Sequence, residues 1–138
     1  MKKFILLIVT GFLFIAASNA QALTSQYGLT VDTVTNTGTK YLTSSKVIGK
    51  PTRSILVVSL TEISGTTGGT ISLEASMDGS NWYSYYGGKD TSYSFTPTDL
   101  AGQSFRFSIP NLEDYYLRVK YVGTGTMSDK ISAILYNR

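Results

Sequence analysis

The chain has 138 residues, 12 Lys plus Arg against 9 Asp plus Glu, no Cys and no His, for a formal charge of +3. That length holds one domain and hardly two, and the missing Cys and His exclude disulfides, thiol nucleophiles, imidazole bases, a Ser-His-Asp triad and the usual zinc ligand sets. Stability has to come from a packed core, for which Tyr, Phe, Ile, Leu and Val are plentiful.

Residues 1–22 read as an export leader. Lys2 and Lys3 precede an apolar run from Phe4 to Ala17, and Ser18-Asn19-Ala20 and Ala20-Gln21-Ala22 have the small-x-small form of a cleavage site. The run predicts a hydrophobic helix shorter than the roughly 20 residues of a bilayer span, unless Ser18 and Asn19 sit among the headgroups. A cleaved signal peptide is expected, with a retained membrane anchor as the alternative. Either way the protein is exported (periplasmic, extracellular, surface-borne or on a virion), and only residues 1–22 would touch a membrane. Removing Lys2 and Lys3 lowers the charge to +1. Lys40, Lys46, Lys50 and Arg53 then form the one loose basic cluster, which reads as a solvated edge and not as a nucleic-acid surface.

Residues 23–138 read as strand, turn, strand. Leu29, Val31 and Thr33 alternate in a first strand that Asn36-Thr37-Gly38 breaks; Tyr41 and Leu42 mark a short second piece. Pro51 precedes residues 55–63, which are apolar at odd and even positions alike, so both faces are expected to be covered. After the loop at 65–69, Ile71, Leu73, Ala75 and Met77 alternate with Ser72, Glu74 and Ser76. Asp78-Gly79-Ser80-Asn81 is a tight turn, and Trp82 opens the return strand of a hairpin. Tyr93 and Phe95 make a short strand, and residues 98–102 a helical turn or loop. Phe105, Phe107 and Ile109 alternate up to Pro110-Asn111. Tyr115, Leu117, Val119 and Tyr121 share one face, with Tyr116, Arg118 and Lys120 opposite. Met127, Asp129, Ile131, Ala133 and Leu135 line the inner face of the last strand. About eight short strands at this spacing predict an all-β, antiparallel sandwich with jelly-roll-like connections.

Chemistry-bearing clusters are few. Glu62 and Glu74, taken as neighbours on a hairpin, are the best carboxylate pair for glycoside hydrolysis, but a solvated face accounts for them more simply. The turn at Asp78 lacks the ligand spacing of a calcium loop, so no metal and no cofactor are expected. No catalytic residue is named and no enzyme is expected. The aromatic group Trp82, Tyr83, Tyr85, Tyr86 and Tyr93 stands out as a ligand or partner surface. Trp82 and Tyr86 fall on one face, Tyr83 and Tyr85 on the other, so one pair points away from the core unless another layer covers it. Exposed Tyr and Trp stack on sugar rings or anchor protein interfaces. The blander reading puts Trp82 in the core and the tyrosines along its rim.

Asp32-Thr-Val-Thr-Asn-Thr-Gly-Thr-Lys-Tyr-Leu42 resembles the opening of a group of small bacteriophage and prophage structural proteins. Residues 63–82 are similar to their central hairpin, and residues 115–127 to their closing hairpin. The resemblance implies a virion accessory β-sandwich of the decoration, spike, fibre or tail kind, self-associating or bound to other virion or surface proteins, with no catalytic residue. The leader departs from that pattern, because virion subunits assemble in the cytoplasm. The sequence therefore supports an assembly protein, or alternatively a secreted carbohydrate-binding module or adhesin whose partner is a glycan.

Overall fold

A computed structural model describes residues 19–25, 28–49, 51–86 and 93–138. The expected leader helix, Lys50, and the Gly87-Gly88 break lie outside them. The described residues form ten strands and no helix. They are β1 (Asn19–Ala22), β2 (Val31–Thr35), β3 (Thr39–Thr43), β4 (Arg53–Gly65), β5 (Gly69–Ser76), β6 (Tyr83–Ser84), β7 (Ser94–Phe95), β8 (Gly102–Pro110), β9 (Tyr116–Gly123) and β10 (Met127–Asn137).

Two five-stranded antiparallel sheets result. In the first, β4 lies between β8 and β10, and the far edge of β10 is shared end to end by β1 and β2. In the second, β9 lies between β3 and β5, and β6 and β7 share the far edge of β5. The chain changes sheet between β2 and β3, β3 and β4, β4 and β5, β7 and β8, β8 and β9, and β9 and β10. Leu23 is buried and Thr24 bridges to Thr43, so residues 23–24 link the first sheet to the β3 edge of the second.

Alternation decides which side chains meet between the sheets. Leu56, Val58, Phe107, Ile109, Ile131 and Leu135 come from the first sheet, and Leu42, Ile71, Leu73, Leu117, Val119 and Tyr121 from the second; all are buried. Each apolar side chain of this size stabilises the fold by about 1.5–3 kcal/mol through burial. The inner and outer faces expected for β9 and β10 are the observed ones. Asp129 is fully buried at the start of β10, where Tyr121 Oη donates to its Oδ2 at 2.7 Å and Thr67 Oγ1 donates to its Oδ1 at 2.8 Å. Gly69 has φ of +123°, and a Cβ there would run into the Val122 carbonyl oxygen of the paired strand.

Several expectations change. In β2 the buried residue is Val34; Leu29 and Val31 are exposed, because the pairing of Val31 with Ser132 sets the opposite parity. Only the even face of β4 is covered: Leu56, Val58 and Leu60 are buried, Ile55 and Val57 half-buried, and Ile63 exposed. Alternation stops at the end of β5, where Ser76 is buried and Met77 is exposed. The Ser76 hydroxyl accepts from Gly79 N–H at 2.8 Å and donates to Asp78 Oδ1 at 3.0 Å, so the chain corners one residue early. The tight turn itself is present, and backbone N–H groups of Asn81 and Ser80 hold the Asp78 carboxyl well below the usual carboxylate range. Glu62 and Glu74 do not face each other, since β4 and β5 belong to different sheets. Lys40 and Arg53 likewise lie in different sheets; Lys40 pairs with Asp32 at 3.3 Å and Lys46 sits over the Tyr115 ring, so no joint basic cluster forms among the described residues.

Candidate functional site

The five singled-out aromatics go to three places. Trp82 is not in the core. It lies on the outer face of the second sheet, where the Arg118 guanidinium stacks 4.2 Å from its ring centroid and 4.3 Å from that of Tyr41. Glu74 fixes that guanidinium through an Arg118 Nε–Oε2 contact of 2.5 Å, and Lys120 reaches the same carboxylate at 3.6 Å. The parity of β9 turns Arg118 outward, and the pairing of Glu74 with Arg118 brings acid and base together. The cation occupies a face of each ring, so the stack is internally satisfied.

Tyr85 and Tyr93 join a packed aromatic cluster. Their ring centroids are 5.6 Å apart, Tyr93 is 6.0 Å from Phe107, and Phe95 lies 4.9 Å from Phe107 and 5.1 Å from Phe105. Tyr93 Oη donates to the Ser108 carbonyl at 3.0 Å, which ties the β7 side of one sheet to β8 of the other. Backbone bonds from Tyr85 N–H to Leu73 O and from Leu73 N–H to Tyr93 O hold the pair at the edge of β5. Burial, then the neighbouring Tyr93 and the carboxylates Asp114 and Glu113, pushes the Tyr85 hydroxyl up to about 12.

Tyr83 and Tyr86 remain open to solvent, at 47% and 49% exposure. They line a cleft of about 460 Å³ together with Ser84, Tyr85, Pro110, Asn111, Glu113 and Asp114. One wall is β6, which the Asp78 turn delivers to the edge of β5 in the register Glu74 to Ser84 and Ala75 to Tyr83. The other wall is the connection between β8 and β9. Pro110 and Asn111 end β8, Asn111 at φ of +46°, and Leu112 is buried as an anchor with its N–H on the Pro51 carbonyl at 3.3 Å. The chain then presents Glu113 and Asp114 to the tyrosines.

Tyr83 donates its hydroxyl to Asp114 Oδ1. Desolvation and then this bond push the Tyr83 hydroxyl up to about 12. Neither Glu113 nor Asp114 makes an ion pair with a described Lys or Arg. The cleft therefore offers two ring faces, one carboxamide and two carboxylates without a cationic counterpart among the described residues. That set suits a polyhydroxylated ring, whose C–H face stacks on tyrosine while its hydroxyls donate to the acids. It disfavours an anion. Among the described residues there is no group of three or more acids, Cys or His able to hold a metal, and no helix long and apolar enough to cross a membrane.

Sequence reasoning brought Tyr83 and Tyr86 into the candidate set and missed Asn111, Glu113 and Asp114. The available signal was a strand-ending Pro-Asn followed by adjacent acids on a loop. Nothing local connected that loop to β6.

No family model matches the chain, and no curated protein does. Some solved structures are similar to it at low identity. A CBM6 domain of LamC from Zobellia galactanivorans is 11% identical at a TM-score of 0.49, covering 89% of this chain and 92% of that one. The Yersinia pseudotuberculosis-derived mitogen is 11% identical at 0.48, covering 88% and 86%. The bacteriophage CBA120 tailspike protein 4 domain is 11% identical at 0.49, covering 88% of this chain and 19% of that one. Neither binding nor catalysis follows from likenesses at this level.

Proposed function

We propose that this protein is a non-catalytic carbohydrate-binding β-sandwich that holds a neutral sugar in the cleft between β6 and the 110–115 connection. One observation carries the reading. Two half-exposed tyrosine rings and two carboxylates without cationic partners among the described residues converge on one open cleft built from well-anchored backbone. The uncompensated acids select a neutral ligand over an acidic one. An export leader belongs with this role, since glycans of this kind are met outside the cell membrane.

The reading as a self-associating virion subunit rests on the apolar strand from Ile55 to Ile63, since an uncovered apolar face is unfavourable in water. The odd face is open, and Arg53, Arg106 and Arg138 flank it. A second copy placed on it by a two-fold axis through the cleft would bring guanidinium against guanidinium, so charge opposes the apolar attraction there.

The test is a glycan array followed by titration calorimetry with the best neutral oligosaccharide. Tyr83→Ala, Tyr86→Ala and Asp114→Asn are each expected to weaken binding at least tenfold, about 1.4 kcal/mol. Trp82→Ala is a poor probe, because it breaks the Arg118 stack on the outer face. Silence across all neutral glycans, or binding that survives all three substitutions, overturns the proposal.

A further inference from the structure

The outer face of the first sheet carries a second cleft, of about 300 Å³, lined by Arg53, Ile55, Arg106, Tyr136 and Arg138. The sheet's register assembles it. Tyr136 lies opposite Ile55, Ile55 opposite Ser108 and Val57 opposite Arg106. Arg53 and Arg138 exchange backbone hydrogen bonds at 3.0 and 3.4 Å. All three arginines are exposed, and none makes an ion pair with a described carboxylate. By strand parity the charged side chains on this face are Arg53, Arg106, Lys130 and Arg138, with no acid among its described residues. Like charges held together without counter-ions raise the local positive potential, and a bound anion relieves it. Guanidinium groups also match oxyanion geometry through paired N–H donors.

We infer that this cleft binds an acidic saccharide, through a sulfate or phosphate ester held by Arg53, Arg106 and Arg138 and a sugar ring laid against Tyr136 and Ile55. Inorganic ions would satisfy the arginines and leave the ring and the apolar floor unused. The site is separate in chemistry from the tyrosine cleft, which is acid-lined. Both flank the turn at Pro110, which lines the tyrosine cleft and pairs with Arg53.

The experiment is calorimetry on the full chain with four probes: a sulfated oligosaccharide, the matching sugar phosphate, the unsubstituted parent and inorganic sulfate. Either ester is expected to bind at least tenfold tighter than the parent and than inorganic sulfate, and to weaken as salt is raised. The sulfated and phosphorylated arms identify which ester is preferred. Arg53→Gln and Arg106→Gln, both at exposed positions and checked for an unaltered melting temperature, are each expected to cost about tenfold, and the pair together to remove the preference for the ester. Equal binding of ester and parent overturns the inference, as does an ester preference that survives both substitutions. A single-stranded DNA oligomer that competes as well as the saccharide would show a general polyanion surface and overturn it too.

Discussion

The side chains that matter most in this protein are polar groups in dry places. Asp129 is fully buried and takes a hydrogen bond from Tyr121 and another from Thr67. Removing one donor leaves a buried carboxylate under-satisfied, so Tyr121→Phe is expected to destabilise the fold by about 1–3 kcal/mol in urea titration. The same residue sets an alkaline limit. Burial, and then the bond to Asp129, pushes the Tyr121 hydroxyl above the ordinary phenol range. The folded protein keeps a proton that the unfolded chain gives up near pH ~10, so this contribution is whole below that pH and is lost as pH rises above it. Stability is expected to fall above pH ~10, and less steeply in Tyr121→Phe. Tyr83 and Tyr85, both raised to about 12, sustain the remaining slope.

Among elements, the sheets contrast covered and open faces. β5 and β9 pair over eight registered positions, and their inner residues Ile71, Leu73, Leu117 and Val119 are all fully buried. β4 puts Leu56 and Val58 inward and leaves Ile55 and Val57 half-exposed on the outside. Leu73→Ala is therefore expected to cost about 2–5 kcal/mol, because a cavity adds to the lost burial. Val57→Ala is expected to cost under half as much, since solvent already reaches the site. Chemical denaturation of the two variants checks the contrast. The periodicity of β8, β9 and β10 was legible in the sequence because neighbouring residues dictate it. Trp82 shows the limit of the same reasoning. Its parity was readable, but its side of the sheet depended on which residue of β9 lay nearby, and that residue is Arg118.

Taken whole, the molecule segregates its charge. Glu113 and Asp114 face one cleft, and Arg53, Arg106 and Arg138 face the other across the Pro110 turn. A face carrying three arginines without carboxylate partners among the described residues repels its own copy, so sedimentation is expected to show a monomer at high concentration. Concentration-dependent oligomers abolished by Tyr136→Ser would favour the assembly reading instead. The all-β character and the buried alternation of β8, β9 and β10 were determined by the sequence, since a pleated strand sends consecutive side chains to opposite faces; which face of β2 and β4 is covered was not. Which strand lies beside which was decided only by tertiary packing, because each edge could hydrogen-bond to many others equally well. Only that packing separated Glu62 from Glu74, set Arg118 under Trp82, and brought β6 against a loop far along the chain to make the tyrosine cleft.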